Sequence, residues 1–291
     1  MITFTELGKH GRLGNQLFQY AAIKSVSLRT NYELKIPDLS NVIFQNQRCM
    51  LDNFNLKYEI LTEKDLGRIS YLFQENDHTE FYSSVFEVPD NINFYGYFQN
   101  YRYFKDFEQE IREEFTLPSE IEQSSFDYVQ SLKTNNEEIV SVHLRRGDLS
   151  DGTNPEYLNY YGENDILSAD SKFGKYFFPA LDVFDNKKVK FLVFSGGSRR
   201  GEKHNQTDME WCKANLKGDK FLFCEGNTDL EDFAIMKNCD HHITSHMTSF
   251  GYWAAFLNNK ENKVVVAPRN YTIPDDGRVE KGFYPDKWRI I

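Results

Sequence analysis

The chain has 291 residues, of which 40% are hydrophobic and 27% charged, a globular balance that fits one large domain or two of modest size. Its formal net charge is −10, which argues against a general nucleic-acid-binding protein, because such proteins carry a basic footprint. The N-terminus has no signal-peptide pattern, and no window approaches the ~18 apolar residues of a membrane span. We therefore expect a cytoplasmic protein without a transmembrane segment, with its four irregularly spaced cysteines reduced.

The first predicted unit is a strand, a glycine turn and a helix. Residues 2–8 alternate as a short strand, glycines punctuate the following turn, and the helical pattern after it places Asn15 at the N-cap. Glycines at this position let a ligand approach the backbone, and a helix N-terminus favours an anion. The spacing is neither GxGxxG nor a Walker loop. Arg12, Gly14 and Asn15 nevertheless favour a ligand site over the alternative of a tight turn alone.

The next part of the chain predicts mixed structure before a polar break. A helix is expected around Glu63–Leu72, a strand from Ile92, an amphipathic helix ending before Pro118, and a second helix over Ile121–Leu132. The polar residues 133–136 then interrupt the pattern. We place the domain boundary there, with one domain over residues 1–135 and the other over 136–291.

Strands alternate with helices or loops after the break. The predicted strands lie at residues 139–144, 189–194, 220–224, 241–244 and 263–268. This alternation is typical of a largely parallel sheet. The simplest architecture is therefore α/β, with two Rossmann-like domains facing each other.

The first of the predicted strands in the second domain carries a polar motif, HLRRGD, at its carboxyl end. His143, Arg145, Arg146 and Asp148 are delivered to the edge where open α/β sheets bind ligands. His143 and Arg145 point to the same side of the strand. Arginine can hold phosphate oxygens in a fork and keeps its charge, so we predict a phosphate contact for Arg145. Arg146 either shares that site or forms a surface ion pair with Asp148 and Asp151.

A third motif, residues 229–258, combines a helix, a short strand, a polar turn and an apolar helix. Thr248 and Ser249 lie at the start of the second helix, where they can cap it and offer backbone amides to a phosphate. His242 and His246 lack the glutamate of HExxH, which excludes a metalloprotease site of that type. Because no D-x-D spacing is present, we expect no bound metal, and protein cations would stabilise a departing diphosphate.

Four motifs in this order resemble glycosyltransferase family 11, the α-1,2-fucosyltransferases, over almost the entire chain. They lie at residues 11–21, 96–104, 143–148 and 229–258. The resemblance implies a GT-B-like fold, GDP-β-L-fucose as donor, a galactose-type hydroxyl of an oligosaccharide or polysaccharide precursor as acceptor, inversion, and no metal or other cofactor. A transferase for another GDP-sugar or acceptor, and a non-catalytic module that binds glycans or sugar nucleotides, stay open as alternatives.

The resemblance also implies roles for individual residues and for the two domains. The N-terminal domain would bind the acceptor and the C-terminal domain the GDP-sugar. Catalytic roles fall on Arg145, Asn15 and Asp148, although the identity of a general base is left open. The implied donor-binding residues are Arg12, Gly14, His143, Arg146, Ser195, Asp232, Thr248, Ser249 and Phe250.

The sequence departs from the family pattern in three places. A basic insertion lies between Gly196 and Asp208, Leu149 replaces an aromatic residue, and the block SHMTSFGYW at 245–253 differs from the usual one. The insertion predicts either a mobile loop that closes over the donor or a surface loop remote from the site. The departures leave the acceptor, and to a lesser degree the donor, unassigned by motif alone.

Overall fold

The computed structural model of the chain describes residues 1–44, 47–78, 80–150, 155–196, 202–271 and 282–291. The chain forms two compact units. The first contains Met1–Pro118 and a short later piece that ends at Asp286, and the second contains Ser119–Val279 and Lys287–Ile291. In the described part of the chain, no helix has the length and apolar character that a membrane crossing requires.

The first unit is built on short strands around one long helix. Its strands are β1 (Ile2–Thr3), β2 (Lys35–Ile36), β3 (Ile43–Phe44), β4 (Gln47–Arg48), β5 (Glu59–Ile60), β6 (Tyr71–Gln74) and β7 (Ile92–Tyr95). Its helices are α1 (Leu13–Thr30), α2 (Glu63–Leu66) and α3 (Glu108–Glu114). Strands β1, β7 and β6 form a parallel sheet in that order, so their carboxyl ends lie at one edge.

Two local predictions for this unit are wrong. The helix expected over Glu63–Leu72 stops at Leu66, because a capping box at Thr62 starts a single turn that ends at Gly67 and the chain then enters β6. Asn15 is not the N-cap of α1: Arg12 takes that position with an extended backbone. The side chain of Asn15 is instead hydrogen-bonded outside the helix, as described below.

The second unit contains one parallel sheet of six strands with helices between them. The strands are β8 (Glu138–Leu144), β9 (Val189–Ser195), β10 (Phe221–Phe223), β11 (His241–Ile243), β12 (Val265–Ala267) and β13 (Arg289–Ile290). The helices are α4 (Ser119–Ser131), α5 (Gly174–Asp182), α6 (Glu202–Asn215), α7 (Asp229–Asn238) and α8 (Ser249–Leu257). The core includes buried Val140, Val142 and Leu144 of β8.

The division between the units comes after Pro118, earlier than the boundary predicted at residue 135. Helix α4 belongs to the second unit because it packs against α7. An ion pair between Glu122 and Lys237 joins these two helices, and Asn238 contacts the same carboxylate. The polar break at 133–136 is therefore a loop within the second unit.

The order of the strands defines where the second unit can hold a ligand. The order is β10-β9-β8-β11-β12-β13, so the chain builds outward from β8 to β10 and then returns to the other side of β8. Such a topological switch point leaves a crevice at the carboxyl ends of β8 and β11, which is where open α/β sheets bind ligands. The HLRRGD motif begins in the last two residues of β8 and continues beyond its carboxyl end, and the segment leading to α8 follows β11.

Candidate functional site

The switch point brings His143 of β8 against the first turn of α8. The Nδ1 atom of His143 lies 2.6 Å from Oγ1 of Thr248, and this hydroxyl also accepts the backbone N–H of Gly251 at 3.3 Å as the N-cap. A Cβ on Gly251 would lie 3.1 Å from Nδ1 of His143, so glycine permits this close approach. Phe250 covers the imidazole, with ring centroids 5.5 Å apart. His143 and the start of α8, which the sequence assigned separately to donor binding, are thus in direct contact.

His143 is a neutral group in this setting. Burial, followed by the nearby charge of Arg145, lowers the pKa of His143 to about 3. At physiological pH the ring therefore carries one N–H donor and one acceptor nitrogen, and it does not compete with an arginine as a second cation. It can orient a ribose or phosphate oxygen through a hydrogen bond.

Arg145 places a cation beside this crevice. Its guanidinium donates a hydrogen bond to the carbonyl of Met247, a residue in the left-handed backbone region (φ 52°) between β11 and α8. Its own carbonyl accepts the hydroxyl of Tyr161 at 2.5 Å. The guanidinium is thereby held beside the turn that leads into α8, whose N-terminal amides carry a partial positive charge. A fixed cation next to a helix N-terminus is suited to bind a phosphate or diphosphate.

Serine hydroxyls join the strand ends around this crevice. Ser195, at the end of β9, donates to the carbonyl of Leu144 at 2.9 Å, and Ser245 donates to the carbonyl of His143. Ser249 and Phe250 lie half-buried in the first turn of α8. These bonds hold the ends of the neighbouring strands β8, β9 and β11 in register.

Arg146 has a different environment from its neighbour. It is 5% exposed, and it forms a two-pronged ion pair with Asp165 at 3.1 and 2.6 Å and a third contact with Asp208 at 3.2 Å. Its guanidinium carbon lies 4.0 Å from the ring centroid of Trp211. These contacts favour the ion-pair alternative for Arg146.

The partners of that ion pair differ from the predicted Asp148 and Asp151. Asp148 lies on a single 3₁₀ turn, Gly147–Leu149, and its side chain is outside the described residues, as is all of Asp151. The proposed role of Asp148 in catalysis and that of Arg146 in donor binding therefore stay predictions.

Asp232 lies in the first turn of α7, after β10. It accepts hydrogen bonds from Nδ2 of Asn227 at 3.0 Å and from Sγ of Cys224 at 3.5 Å. Burial raises the pKa of Asp232 to about 6 despite these bonds. The sheet places β10 two strands away from β8, so the topology of the sheet does not group Asp232 with His143 and Arg145.

The other predicted site residues, Arg12, Gly14 and Asn15, belong to the first unit. Oδ1 of Asn15 accepts a hydrogen bond from Nε2 of Gln99 at 2.7 Å. Gly11 has a φ of +89°, and a Cβ there would lie 2.5 Å from Nδ2 of Asn15, so glycine is required on both counts. The glycine turn is therefore shaped around the amide of Asn15.

Two buried glutamines of helix α1 donate hydrogen bonds to backbone carbonyls of this turn. Gln16 donates to the carbonyls of Gly8 at 3.3 Å and Gly11 at 3.0 Å. Gln19 donates to the carbonyl of His10 at 2.7 Å. The sequence analysis did not include these two glutamines among the site residues, although both lie within the NQLFQ segment of the first motif.

Two further residues of the first unit were not recognised from the sequence. Gln99 lies within the second motif, GYFQNYRYF, so the motif itself contained the signal. Glu75 follows β6, outside any motif, and accepts backbone N–H groups of Tyr97 and Phe98. Only the pairing of β6 with β7 reveals that Glu75 and Gln99 lie at the same sheet edge.

Metal ligands are not grouped in the part of the chain that the structure describes. No cluster of three or more His, Cys, Asp or Glu side chains is arranged there to hold a metal ion. The four cysteines are buried and free, as predicted. Independence from metal stays a prediction.

Comparison with known sequences gives matches along almost the whole chain. The profile of Glycosyl transferase family 11 matches residues 3–291. An α-1,2-colitosyltransferase of Escherichia coli is 27% identical over 285 residues, which cover 89% of this chain and 89% of the relative. Galactoside α-(1,2)-fucosyltransferase 2 of Gorilla gorilla gorilla is 26% identical over 277 residues, covering 91% of this chain and 71% of the relative.

Solved structures of similar fold include two fucosyltransferases. The α-1,6-fucosyltransferase NodZ, soaked with GDP-fucose, aligns with a TM-score of 0.51 and 13% identity over 88% of this chain and 91% of its own. A variant of FUT1 of Arabidopsis thaliana in complex with GDP aligns with a TM-score of 0.51 and 12% identity, over 98% and 74% respectively. At such identities the likeness concerns the fold, and it confirms the predicted GT-B-like α/β class.

The sequence match also bears on the predicted family. It extends from residue 3 to residue 291 and includes all four motifs. The resemblance inferred from those motifs is confirmed: this chain belongs to glycosyl transferase family 11 and is a glycosyltransferase.

Proposed function

We propose that this protein transfers L-fucose from GDP-β-L-fucose to the 2-hydroxyl of a galactose-type acceptor, with inversion and without a metal ion. The observation that carries the proposal is the position of Arg145 beside the N-terminus of α8 at the switch point of the six-stranded sheet. A fixed cation and a helix N-terminus together suit the diphosphate of a sugar nucleotide. The α-1,2 linkage named for the relatives in Escherichia coli and the gorilla supports the choice of hydroxyl.

The proposed reaction displaces GDP from the anomeric carbon of the sugar. The acceptor oxygen forms the new bond as the bond to the β-phosphate oxygen breaks, so positive charge develops on the sugar and negative charge on the leaving group. Arg145 stabilises that negative charge, which is a preorganised electrostatic contribution. Neutral His143 orients the ribose or a phosphate oxygen, and the acceptor's proton leaves to a base that is not assigned.

A second donor is favoured by one specific comparison. The relative in Escherichia coli is named for transfer of colitose, a sugar that lacks the 3-hydroxyl of fucose. A site that hydrogen-bonds a substrate hydroxyl rejects an analogue without it by roughly 10⁴–10⁵, whereas a site without such a partner discriminates far less. The ratio of kcat/KM for the two donors therefore reports whether this chain has a polar partner for the 3-hydroxyl.

The test compares GDP-fucose, GDP-colitose and GDP-mannose as donors, with lactose as the acceptor and mass spectrometry of the product. We expect a product one deoxyhexose heavier than lactose, formed fastest from GDP-fucose. Faster transfer from GDP-colitose would replace the proposed donor with the second one. Binding of GDP-sugars without transfer to lactose or a wider panel of galactosides would contradict the proposed reaction.

A further inference from the structure

The carboxylate of Glu75 caps a turn at the carboxyl edge of the sheet in the first unit. Glu75 follows β6, and the turn Gly96–Gln99 follows the neighbouring strand β7. Its Oε2 accepts the backbone N–H of Tyr97 at 2.6 Å and that of Phe98 at 3.0 Å. A Cβ on Gly96 would lie 2.5 Å from Cβ of Glu75, so the turn is in close contact with this side chain.

The turn needs such support because its backbone is unfavourable. Phe98 has a φ of 52°, a left-handed conformation that is unfavourable for a residue with a bulky side chain. Its ring is fully buried, which fixes the position of the side chain. The two amide bonds to Glu75 and the bond from Nε2 of Gln19 to the carbonyl of Gly96, 3.1 Å long, hold the backbone in this conformation.

The turn Gly96–Gln99 also places the side chain of Gln99 within hydrogen-bonding distance of Asn15, next to the glycine turn. Gln99 is 7% exposed, and its Nε2 donates to Oδ1 of Asn15 at 2.7 Å. Because the amide oxygen of Asn15 accepts this bond, the rotamer of Asn15 and the direction of its NH₂ group are set. A chain of contacts therefore runs from Glu75 through the backbone of the turn to Gln99 and Asn15.

We propose that Glu75 is a positioning residue that holds the amide of Asn15, through the turn Gly96–Gln99, in the orientation required for sugar transfer. The inference rests on the proposed function and on the catalytic role that the family resemblance implies for Asn15. Glu75 itself is not assigned a contact with substrate. Loss of its carboxylate should therefore affect the rate of turnover and leave the affinity for GDP-fucose largely intact.

Ionisation of Glu75 offers a readout that a purely structural residue would not give. Burial, with a smaller contribution from Asp77, raises the pKa of Glu75 to about 7. Among the described residues, the other titratable groups near this carboxylate and the turn include Tyr95, Tyr97, Tyr103, His10 and His78. The ionised form is the better acceptor for two amides, so kcat of the wild type should rise as the pH increases through about 7.

The kinetic experiment is a double-mutant cycle on the full chain with GDP-fucose and lactose. We expect Glu75→Gln to lower kcat by roughly 10–100-fold, in line with a small misplacement of a catalytic group, and to remove the rise in kcat near pH 7. Added to Asn15→Ala, Glu75→Gln should cause no further loss, because both changes act on one element. Gln99→Met, which removes only the contact with Asn15, should reproduce the loss in kcat.

Glu114 provides a matched control. It is a buried carboxylate of the same unit, 3% exposed, and accepts the backbone N–H of Lys57 at 2.9 Å and the hydroxyl of Tyr20 at 2.5 Å. Glu114→Gln should lower the melting temperature without altering the pH profile of kcat. An unchanged kcat in both Glu75→Gln and Gln99→Met, or losses that multiply with that of Asn15→Ala, would overturn the proposal.

Hydrogen–deuterium exchange tests the same inference without the reaction. In Glu75→Gln, the peptides that cover residues 96–100 and 11–16 should both exchange faster than in the wild type, whereas Glu114→Gln should leave them unchanged. Unaltered exchange at residues 11–16 would overturn the coupling to Asn15. If the wild type transferred no sugar from any donor, the proposed function would fail, and the exchange data would still decide whether the coupling exists.

Discussion

Arg145 and Arg146 are adjacent in sequence but have different surroundings. Arg145 lies beside the turn that leads into α8, whereas Arg146 is paired with two carboxylates. Substituting each in turn therefore distinguishes a role in binding from a role in stability. Arg145→Ala should leave the fold intact and lower kcat with GDP-fucose by roughly 10²–10³-fold or more, because the developing charge on the leaving diphosphate loses its partner. Steady-state kinetics on protein with an unchanged circular dichroism spectrum and melting temperature measures this. Near-normal turnover in the folded variant would refute the phosphate contact assigned to Arg145.

Arg146→Ala is the matched control for that experiment. It removes the guanidinium that pairs with buried Asp208 and with the half-exposed Asp165, and breaking a buried ion pair costs about 3–5 kcal/mol of the free energy of unfolding. Urea unfolding should show this loss. A stable Arg146→Ala protein with a raised KM for GDP-fucose would instead support the donor-binding role predicted from the sequence.

Glu75 also predicts how stability depends on pH. Its pKa in the folded protein, about 7, lies above the ordinary value of 4.5, so the folded state binds more protons than the unfolded state between these values. Its contribution to the free energy of unfolding should therefore fall as the pH rises from about 4.5 to 7. Urea unfolding of wild type and Glu75→Gln at several pH values should show that their difference changes across this range. A constant difference would contradict the pKa shift.

Contacts between residues that are distant in sequence could not be predicted from the sequence. His143 and Arg145 were predicted to point to the same side of one strand, because side-chain alternation in a strand is a local property. In the structure β8 ends at Leu144, so Arg145 lies in the segment that follows the strand. Asn15 was assigned wrongly as an N-cap because its oxygen is bonded to Gln99, 84 residues away, and no local pattern encodes that contact. The partners of Arg146, Asp208 and Asp165, are 62 and 19 residues away and are likewise not encoded by a local pattern.

At the scale of elements, the start of α8 joins two parts of the site. Thr248→Val should remove the N-cap and the hydroxyl beside His143, at a cost of about 1 kcal/mol in stability. It should also lower transfer, because His143 loses the partner that fixes its ring, whereas Thr228→Val at the cap of α7 should affect stability alone. Thermal unfolding and kinetics on both variants check this. Equal activity of the two would show that the hydroxyl of Thr248 serves only the helix.

The elements that the sequence predicted well are the ones with strong local signals. The apolar strands β8, β9 and β12 and the capped helix α8 were placed correctly, because burial on both faces and a Thr cap leave clear patterns. The insertion was expected to be a loop as far as Asp208. It is helical from Glu202, the start of α6.

The predicted closure of this insertion over the donor stays a prediction, because the side chains of most of the insertion lie outside the described residues. Ser198, Arg199 and Arg200 lie outside the described residues, as do the side chains of Lys203 and His204. The polar composition of residues 202–207 had suggested a loop, whereas the helix continues into the buried residues Met209 and Cys212. Packing of those apolar residues explains why this polar stretch is helical.

For the whole molecule, we expect sugar transfer to proceed without a divalent cation. Because no D-x-D spacing is present, Arg145 and the amides of α8 are proposed to do the work of a metal at the diphosphate. The rate of transfer from GDP-fucose should therefore be unchanged after dialysis against EDTA and in an excess of EDTA during the assay. A strict requirement for Mg²⁺ or Mn²⁺ would contradict this arrangement.

The enzyme is proposed to form an α-1,2 bond with inversion, and a two-dimensional NMR spectrum of the product from GDP-fucose and lactose identifies that bond. We expect a fucose anomeric proton with the small coupling of the α configuration, inverted from the β-linked donor, and a cross-peak from this proton to C2 of galactose. A β-configured product, or a cross-peak to any other galactose carbon, would contradict the proposed inverting α-1,2 transfer.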